Sequence, residues 1–165
     1  MSVIVTKDRT GELLKAIVAL TQREVLIGIP ADAPARTPEP GEPAPPSNAL
    51  IGYKMETGDP EMNLPARPFL VPGVEAIKDK AIARLKKAGE DALKGDLGKV
   101  DQALHAVGLM GQSSVQAKIT DSPFVPLAPR TLAQRRARGR TGDRPLIDTG
   151  QLRRSVNYVI RTKGK

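Results

Sequence analysis

The chain holds one histidine, His105, which follows Asp101 by four positions. On a helix that spacing brings the two side chains to one face. An imidazole steered by a carboxylate is the beginning of a general base or of a metal site. Here the pattern goes no further. There is no cysteine and no second histidine, so no usual zinc ligand set can be assembled. The carboxylates Glu12, Glu24, Glu56, Asp59, Glu61, Glu75 and Asp79 are scattered, without the spacing of a calcium loop. No serine sits in a nucleophile motif, and neither GxGxxG nor GxxxxGK[ST] occurs. The expectation is a helix-surface or interface histidine, no catalytic residue, no metal, no cofactor, and a protein that is not an enzyme.

The strongest chemical signal is electrostatic. Arg135, Arg136, Arg138 and Arg140 lie within six residues, with Arg153 and Arg154 close behind. Residues 128–165 carry eleven basic and two acidic residues, a net of +9, whereas residues 1–127 carry fifteen and sixteen, a net of −1. A neutral body with a basic appendage suits a nucleic acid or an acidic protein surface as partner. The run lacks the aromatic neighbours that stack exposed bases, so docking on an acidic protein is the leading reading, with phosphate contact and a solvated loop beside it. With only Asp143 taken as a neighbouring acid, four clustered guanidiniums repel one another and call for a partner. Their removal is expected to leave the isolated subunit as stable as before, because exposed charges contribute little to folding.

The elements that must position these residues follow from periodicity. Ser2–Thr6 is β-branched and reads as a short strand. Residues from Asp8 to Leu20 read as a helix whose stripe is Leu13, Ile17 and Leu20, with Leu14 and Val18 beside it. Glu24–Ile29 alternates as a strand, closed by Pro30. Residues 30–46 hold seven prolines and predict an extended, polyproline-like loop, either a linker or an arm that orders against a neighbouring subunit. That loop is expected to be the first place a protease cuts. Ser47 caps a short helix, Asn48–Thr57, stopped by Gly58. A helical hairpin is predicted from Pro72 to Lys118, broken at Gly95 and Gly98. Its second helix carries the face Leu97, Val100, Leu104 and Val107, and Gly108 and Gly111 mark either a close crossing or a kink. Residues 119–145 form a basic arm, stiffened by proline at Asp121–Arg130 and continued by one or two turns of basic helix. A capped turn at Asp148–Gly150 then leads into a strand, Ser155–Ile160.

Two segments carry a resemblance. Asn48–Leu70 ends in Pro65-Ala66-Arg67-Pro68-Phe69-Leu70, preceded by Glu56 and Gly58. Leu127–Val156 contains Thr131-Leu132-Ala133, Arg135, Pro145–Gly150, Leu152, Arg153, Ser155 and Val156, with Pro126 just before it. Together they resemble the neck and tail-completion proteins of Mu-like and other long-tailed bacteriophages and prophages. The match covers about a third of the chain; Leu64 stands where isoleucine is usual and Met55 where His, Gln or Asn is common. The resemblance implies a ring of subunits, six in number, at the head-proximal end of the tail, made in the bacterial cytoplasm and ending in the virion. Its partners are further copies of itself and other neck, connector, tail-terminator or tail-tube proteins, with non-specific contact to packaged DNA as a further possibility. A basic nucleic-acid-binding accessory protein is the competing class.

Composition fits a protein that assembles. Only Phe69, Phe124, Tyr53 and Tyr158 are aromatic, so aliphatic residues fill a thin core, and fifteen prolines in 165 residues stiffen the joins. No stretch approaches the length of a membrane span, and no membrane partner is expected. The reading is one α+β domain over 1–165: an N-terminal helix and the long hairpin packed with a small antiparallel sheet, plus proline-rich arms. Within it Pro65, Arg67, Pro68, Phe69 and Leu70, with Phe124 and Val125, are expected as rigidly presented assembly anchors; Phe69 and Leu70 plugging the core is the alternative. Arg135, Arg136, Arg138, Arg140, Arg153 and Arg154 are expected to meet the partner.

Overall fold

In the computed structural model the described residues are 10–31 and 46–164. They form an α+β fold of seven helices and a two-stranded antiparallel sheet. The expected strand Ser2–Thr6 and most of the proline-rich loop lie outside the described residues. The chain divides into two compact units, each drawn from separated stretches.

The first unit comprises residues up to Leu26, then Lys78–Leu109, then Val159 onward. It contains α1 (Thr10–Thr21), α4 (Lys78–Leu93) and the first half of α5 (Gly98–Asp121). Its core is thin, as the composition predicts. Ala92, Val100 and Leu104 are buried together, with Val25, Leu85 and Ile160 packed against them. Helix α1 packs on α4, yet it leaves Leu14, Ile17 and Val18 exposed at helical spacing. Part of the stripe expected to face the core therefore faces outward. Asp101 pairs with Arg23, and Glu24 accepts a bond from Arg161 Nε at 2.7 Å.

The second unit holds Ile27–Ile77 and Met110–Tyr158. It contains α2 (Asn48–Thr57), α3 (Leu70–Glu75), the second half of α5, α6 (Pro129–Ala137) and α7 (Gln151–Ser155). Phe69, Val115, Ile119, Leu152 and Val156 make its core, with Ile27, Ile29, Ile51, Leu70, Val74 and Phe124 around them. Burying a side chain as large as Phe69 stabilises by about 2–3 kcal/mol. Polar residues of α5 fasten the shell: Ser114 Oγ donates to Gly73 O at 2.7 Å, Gln112 Nε2 to Val156 O at 3.0 Å, and Gln116 Nε2 to Arg153 O at 3.2 Å.

Strand β1 (Arg23–Gly28) pairs with β2 (Asn157–Thr162). Both lie within two residues of their predicted limits, but a helical turn, α7, precedes β2 where only a capped turn was expected. The predicted helix from Pro72 to Lys94 is two helices. Ala76 N–H turns back to Pro72 O and Val74 O, and Ile77 N–H to Val74 O, so the chain closes a tight turn before α4 begins. Pro72 sits at the third helical position rather than the first, where its missing N–H still costs nothing.

Gly111 is a point of close approach rather than a kink: the Ile27 side chain occupies the place its Cβ would take. Gly73 is more demanding. A Cβ there would lie 2.7 Å from Val115 Cα and 3.1 Å from Val115 N, backbone atoms that cannot swing aside. Gly73→Ala is therefore expected to destabilise by about 2 kcal/mol, the scale of core overpacking. Urea unfolding by circular dichroism checks this; an unchanged midpoint would show that α3 is free to shift off α5.

Candidate assembly groove

The two segments that carry the family resemblance meet in the second unit. They enclose a groove of about 800 Å³. Helix α2 supplies one wall. Ser47 Oγ accepts from Leu50 N–H at 3.2 Å to begin it, and Gly58 N–H bonds Lys54 O at 2.8 Å to end it. The chain then makes a tight turn in which Asp59 and Leu64 exchange backbone bonds of 2.9 Å in both directions. Lys54 Nζ donates to Asp59 Oδ2 at 2.8 Å. That bond is the main reason the Asp59 carboxyl titrates below its ordinary value of 3.8; backbone N–H groups of the turn add to it. A carboxylate depressed in this way adds stability above the unfolded value and loses it as pH falls through the folded one. Lys54→Met is expected to return the Asp59 titration toward 3.8, read by NMR, and no movement would rule the pairing out as the cause.

Beyond the turn, Arg67 N–H reaches back to Met55 O at 2.7 Å. Its guanidinium is turned inward, with the residue only 4% exposed. Nε donates to Val125 O at 3.1 Å and Nη2 to Pro126 O at 3.3 Å, which clips the proline-stiffened arm onto the groove. Burial lowers the Arg67 pKa, and the nearby Arg135 charge lowers it further.

Next comes Phe69, which is 1% exposed and belongs to the core. The element expected to present it to a neighbouring subunit instead seats it inside its own unit, and Leu70 is half-buried against the same core. Phe69 also begins α3 with no capping side chain of its own. Glu56, thirteen residues earlier, fills that place. Its Oε2 accepts from Phe69 N–H at 2.7 Å and Leu70 N–H at 2.8 Å, and its Oε1 from Val71 N–H at 2.9 Å. Pro65 and Pro68 remain exposed. Phe124 packs on the core, while Val125 stays 54% exposed at the groove.

The basic run is also divided. Helix α6 starts at Pro129, whose fixed φ suits the first turn. At its far end Arg135 points inward, 9% exposed. Its Nη1 donates to the carbonyls of Gly142, Arg144 and Ile147, each at 3.0 Å, and its Nε lies 3.5 Å from Asp148 Oδ1. Arg140 Nη1 donates to the other oxygen, Asp148 Oδ2, at 2.7 Å. The expectation of four exposed arginines with only Asp143 near them is thus corrected. Two of the four organise the 140–148 loop around Asp148, which reads in the sequence as part of a capped turn. Arg136 and Arg138 are exposed. Arg153 Nε donates to Thr120 Oγ1 at 3.1 Å and Arg154 Nη2 to Thr149 O at 3.0 Å.

The groove between these walls is lined by Ile51, Met55, Leu64, Leu127, Leu146 and Leu152, with Arg67, Arg130 and Arg135 against a single acid, Asp148. It is apolar with a cationic wall. Among the described residues no three His, Cys, Asp or Glu side chains gather as a metal site, and no helix is long and apolar enough to cross a membrane. No family model, curated protein or solved structure matches this chain.

Proposed function

We propose that this chain is a structural subunit of a tailed phage or prophage, working in a ring at the neck to complete the tail and join it to the head. The observation that carries the reading is the convergence of the two resembling segments. Glu56 caps the Phe69–Val71 turn, Arg67 clips the arm before Leu127, and Arg135 gathers the loop before Asp148. Residues from 48–67 and from 125–152 thereby wall one groove. The physics of the surface supports an assembling protein. Leu14, Ile17 and Val18 form an exposed apolar strip on α1, of the kind a partner covers.

The nucleic-acid alternative loses ground, because Arg135 and Arg140 are engaged within their own chain. Disruption of the gene in an inducible prophage tests the proposal. Electron microscopy of the lysate is expected to show filled heads beside unjoined tails, restored to whole particles by the gene in trans. Whole, infectious particles without the protein would overturn it. Filter binding to random duplex across a salt series addresses the alternative, for which a steep salt slope at near-physiological affinity is the signature.

A further inference from the structure

Arg67 is a buried charge with no counter-ion among the described residues. It is 4% exposed, and its Nε and Nη2 meet only the carbonyls of Val125 and Pro126. The one acid that lines the groove, Asp148, pairs instead with Arg135 and Arg140. Taking a charge out of water without an opposite charge is costly, and carbonyl dipoles offset only part of that cost. Burial and the neighbouring Arg135 charge both lower the Arg67 pKa, as expected for a cation short of negative charge. Arg135 lines the same groove, buried to a similar degree. Its Nη1 is taken by three carbonyls and its Nε faces Asp148. Among the described residues, Arg67 Nη1 and Arg135 Nη2 therefore donate to nothing. Gln151, in the same lining, has the opposite need: its Oε1 is buried and accepts no hydrogen bond.

These needs together select a ligand. The two guanidiniums call for an anion, and a carboxylate matches the arginine fork. Gln151 Oε1 calls for an N–H. The floor, with Ile51, Met55 and Leu152 among its residues, calls for aliphatic side chains. A nucleic acid brings the anion without the aliphatic body. A small aliphatic acid brings anion and body without the N–H. A polypeptide with an acidic residue among aliphatic ones brings all three. The volume, about 800 Å³, lies in the range of pockets that enclose a ligand of that size. We propose that the groove is the docking site for a short segment of a partner protein, in which an aspartate or glutamate flanked by aliphatic residues neutralises Arg67 and Arg135. The inference goes beyond the neck reading and does not depend on it, because the missing negative charge belongs to this unit in whatever assembly the chain enters.

The probe is the peptide acetyl-Leu-Glu-Leu-amide, with acetyl-Leu-Gln-Leu-amide as its uncharged twin and butyrate as a small acid. Each is titrated into the isotope-labelled full-length chain, and NMR follows the Nε–H signals of Arg67 and Arg135 and the methyl signals of Ile51 and Met55. The glutamate peptide is expected to shift all four saturably and to bind about tenfold more tightly than its twin, the scale of exchanging a charge-assisted bond for a neutral one. Because that comparison lies in the peptide, it decides the question even if a groove variant fails to fold. Arg67→Gln is expected to erase the difference between the twins. Gln151→Met is expected to weaken the peptide several-fold and leave butyrate unchanged. Lys86→Gln/Lys87→Gln, which removes two exposed charges of α4 outside the groove lining, is expected to bind as the parent does. Equal affinity for the twins, the absence of a saturable shift, or an equal loss in the lysine variant would overturn the proposal. Butyrate binding as tightly as the peptide would make the groove a small-acid pocket and overturn the protein partner. Binding that emerges only after Asp32, Glu39 and Glu42 are changed to their amides would put an acid of this chain in the groove, and would overturn it too. None of these results bears on whether particles need the protein to join head and tail, so the two readings fail separately.

Discussion

Glu56→Ala is expected to lower the free energy of unfolding by about 3 kcal/mol, a large loss for one half-buried side chain. The carboxylate accepts three backbone N–H bonds, at 2.7, 2.8 and 2.9 Å, from the residues that open α3. Hydrogen bonds to a charged group contribute about 1.5–3 kcal/mol each, and a buried donor left without a partner costs about 1–3 kcal/mol. Phe69 N–H and Leu70 N–H lie in partly buried surroundings and recover little from water, whereas Val71 N–H rehydrates, so the sum falls well short of three full bonds. Loss of the cap also frees the turn that seats Phe69 in the core. Glu56→Gln keeps the shape and one acceptor oxygen but not the charge, and is expected to lose about half as much. Urea unfolding of both variants checks the order. If Glu56→Gln is as damaging as Glu56→Ala, the bonds depend on the charge; if neither destabilises, α3 is held by packing alone.

The difference between what the sequence revealed and what it concealed follows the range of the interaction. Helix α5 was legible because Val100, Leu104 and Val107 recur at helical spacing, and they are buried as that spacing requires. Strands β1 and β2 were legible from alternation, and α2 from Ser47 and Gly58 at its ends. The α+β class followed from those elements. The break at Ala76 and Ile77 was not visible, because nothing in the local pattern marks a helix interrupted by a change of packing partner. Gly73, pressed on the α5 backbone, gave no signal beyond its small size.

The site was harder for a related reason. Its determinants are polar side chains bonded to backbone carbonyls and N–H groups far along the chain, and such bonds leave no periodicity. In the sequence Glu56 is only one position of a resembling motif, and its role as a cap thirteen residues ahead comes from the fold. The prolines that flank Phe69 fit an anchor shown to a neighbour and a core plug equally well, and only the fold decides for the core. Asp148 is not legible as a counterion, since an Asp-Thr-Gly sequence reads first as a turn. The arginine run is the least legible feature, because composition counts charges without showing which of them point inward.

The burial of Arg135 reverses an expected result and gives the largest effect. Replacing all four arginines by glutamine would test nothing about a partner, since the subunit itself should fail. Arg135→Gln alone is expected to cost about 4 kcal/mol. Its Nη1 holds three carbonyls of the 142–147 segment at 3.0 Å while its Nε faces Asp148 at 3.5 Å. A glutamine amide is too short to reach the same acceptors, so three partly buried carbonyls lose their donor and Asp148 keeps only Arg140. A partly buried acceptor left without its donor costs about 1–3 kcal/mol, and these carbonyls carry most of the loss, because the pair with the exposed Asp148 adds little. Because the loop so gathered also carries Leu146 and Asp148 to the groove, the same change should open it. Arg136 and Arg138, one and three residues on, are exposed, and the double change Arg136→Gln/Arg138→Gln is expected to stay within about 0.5 kcal/mol of the parent. Equilibrium urea unfolding of the three proteins decides the matter. A parent-like Arg135→Gln would return the run to a solvated surface. The expected split, with a stable double variant in hand, allows particle assembly to be scored on Arg136 and Arg138 alone. Infectious particles at normal titre from that variant would show that particle assembly does not depend on these two arginines.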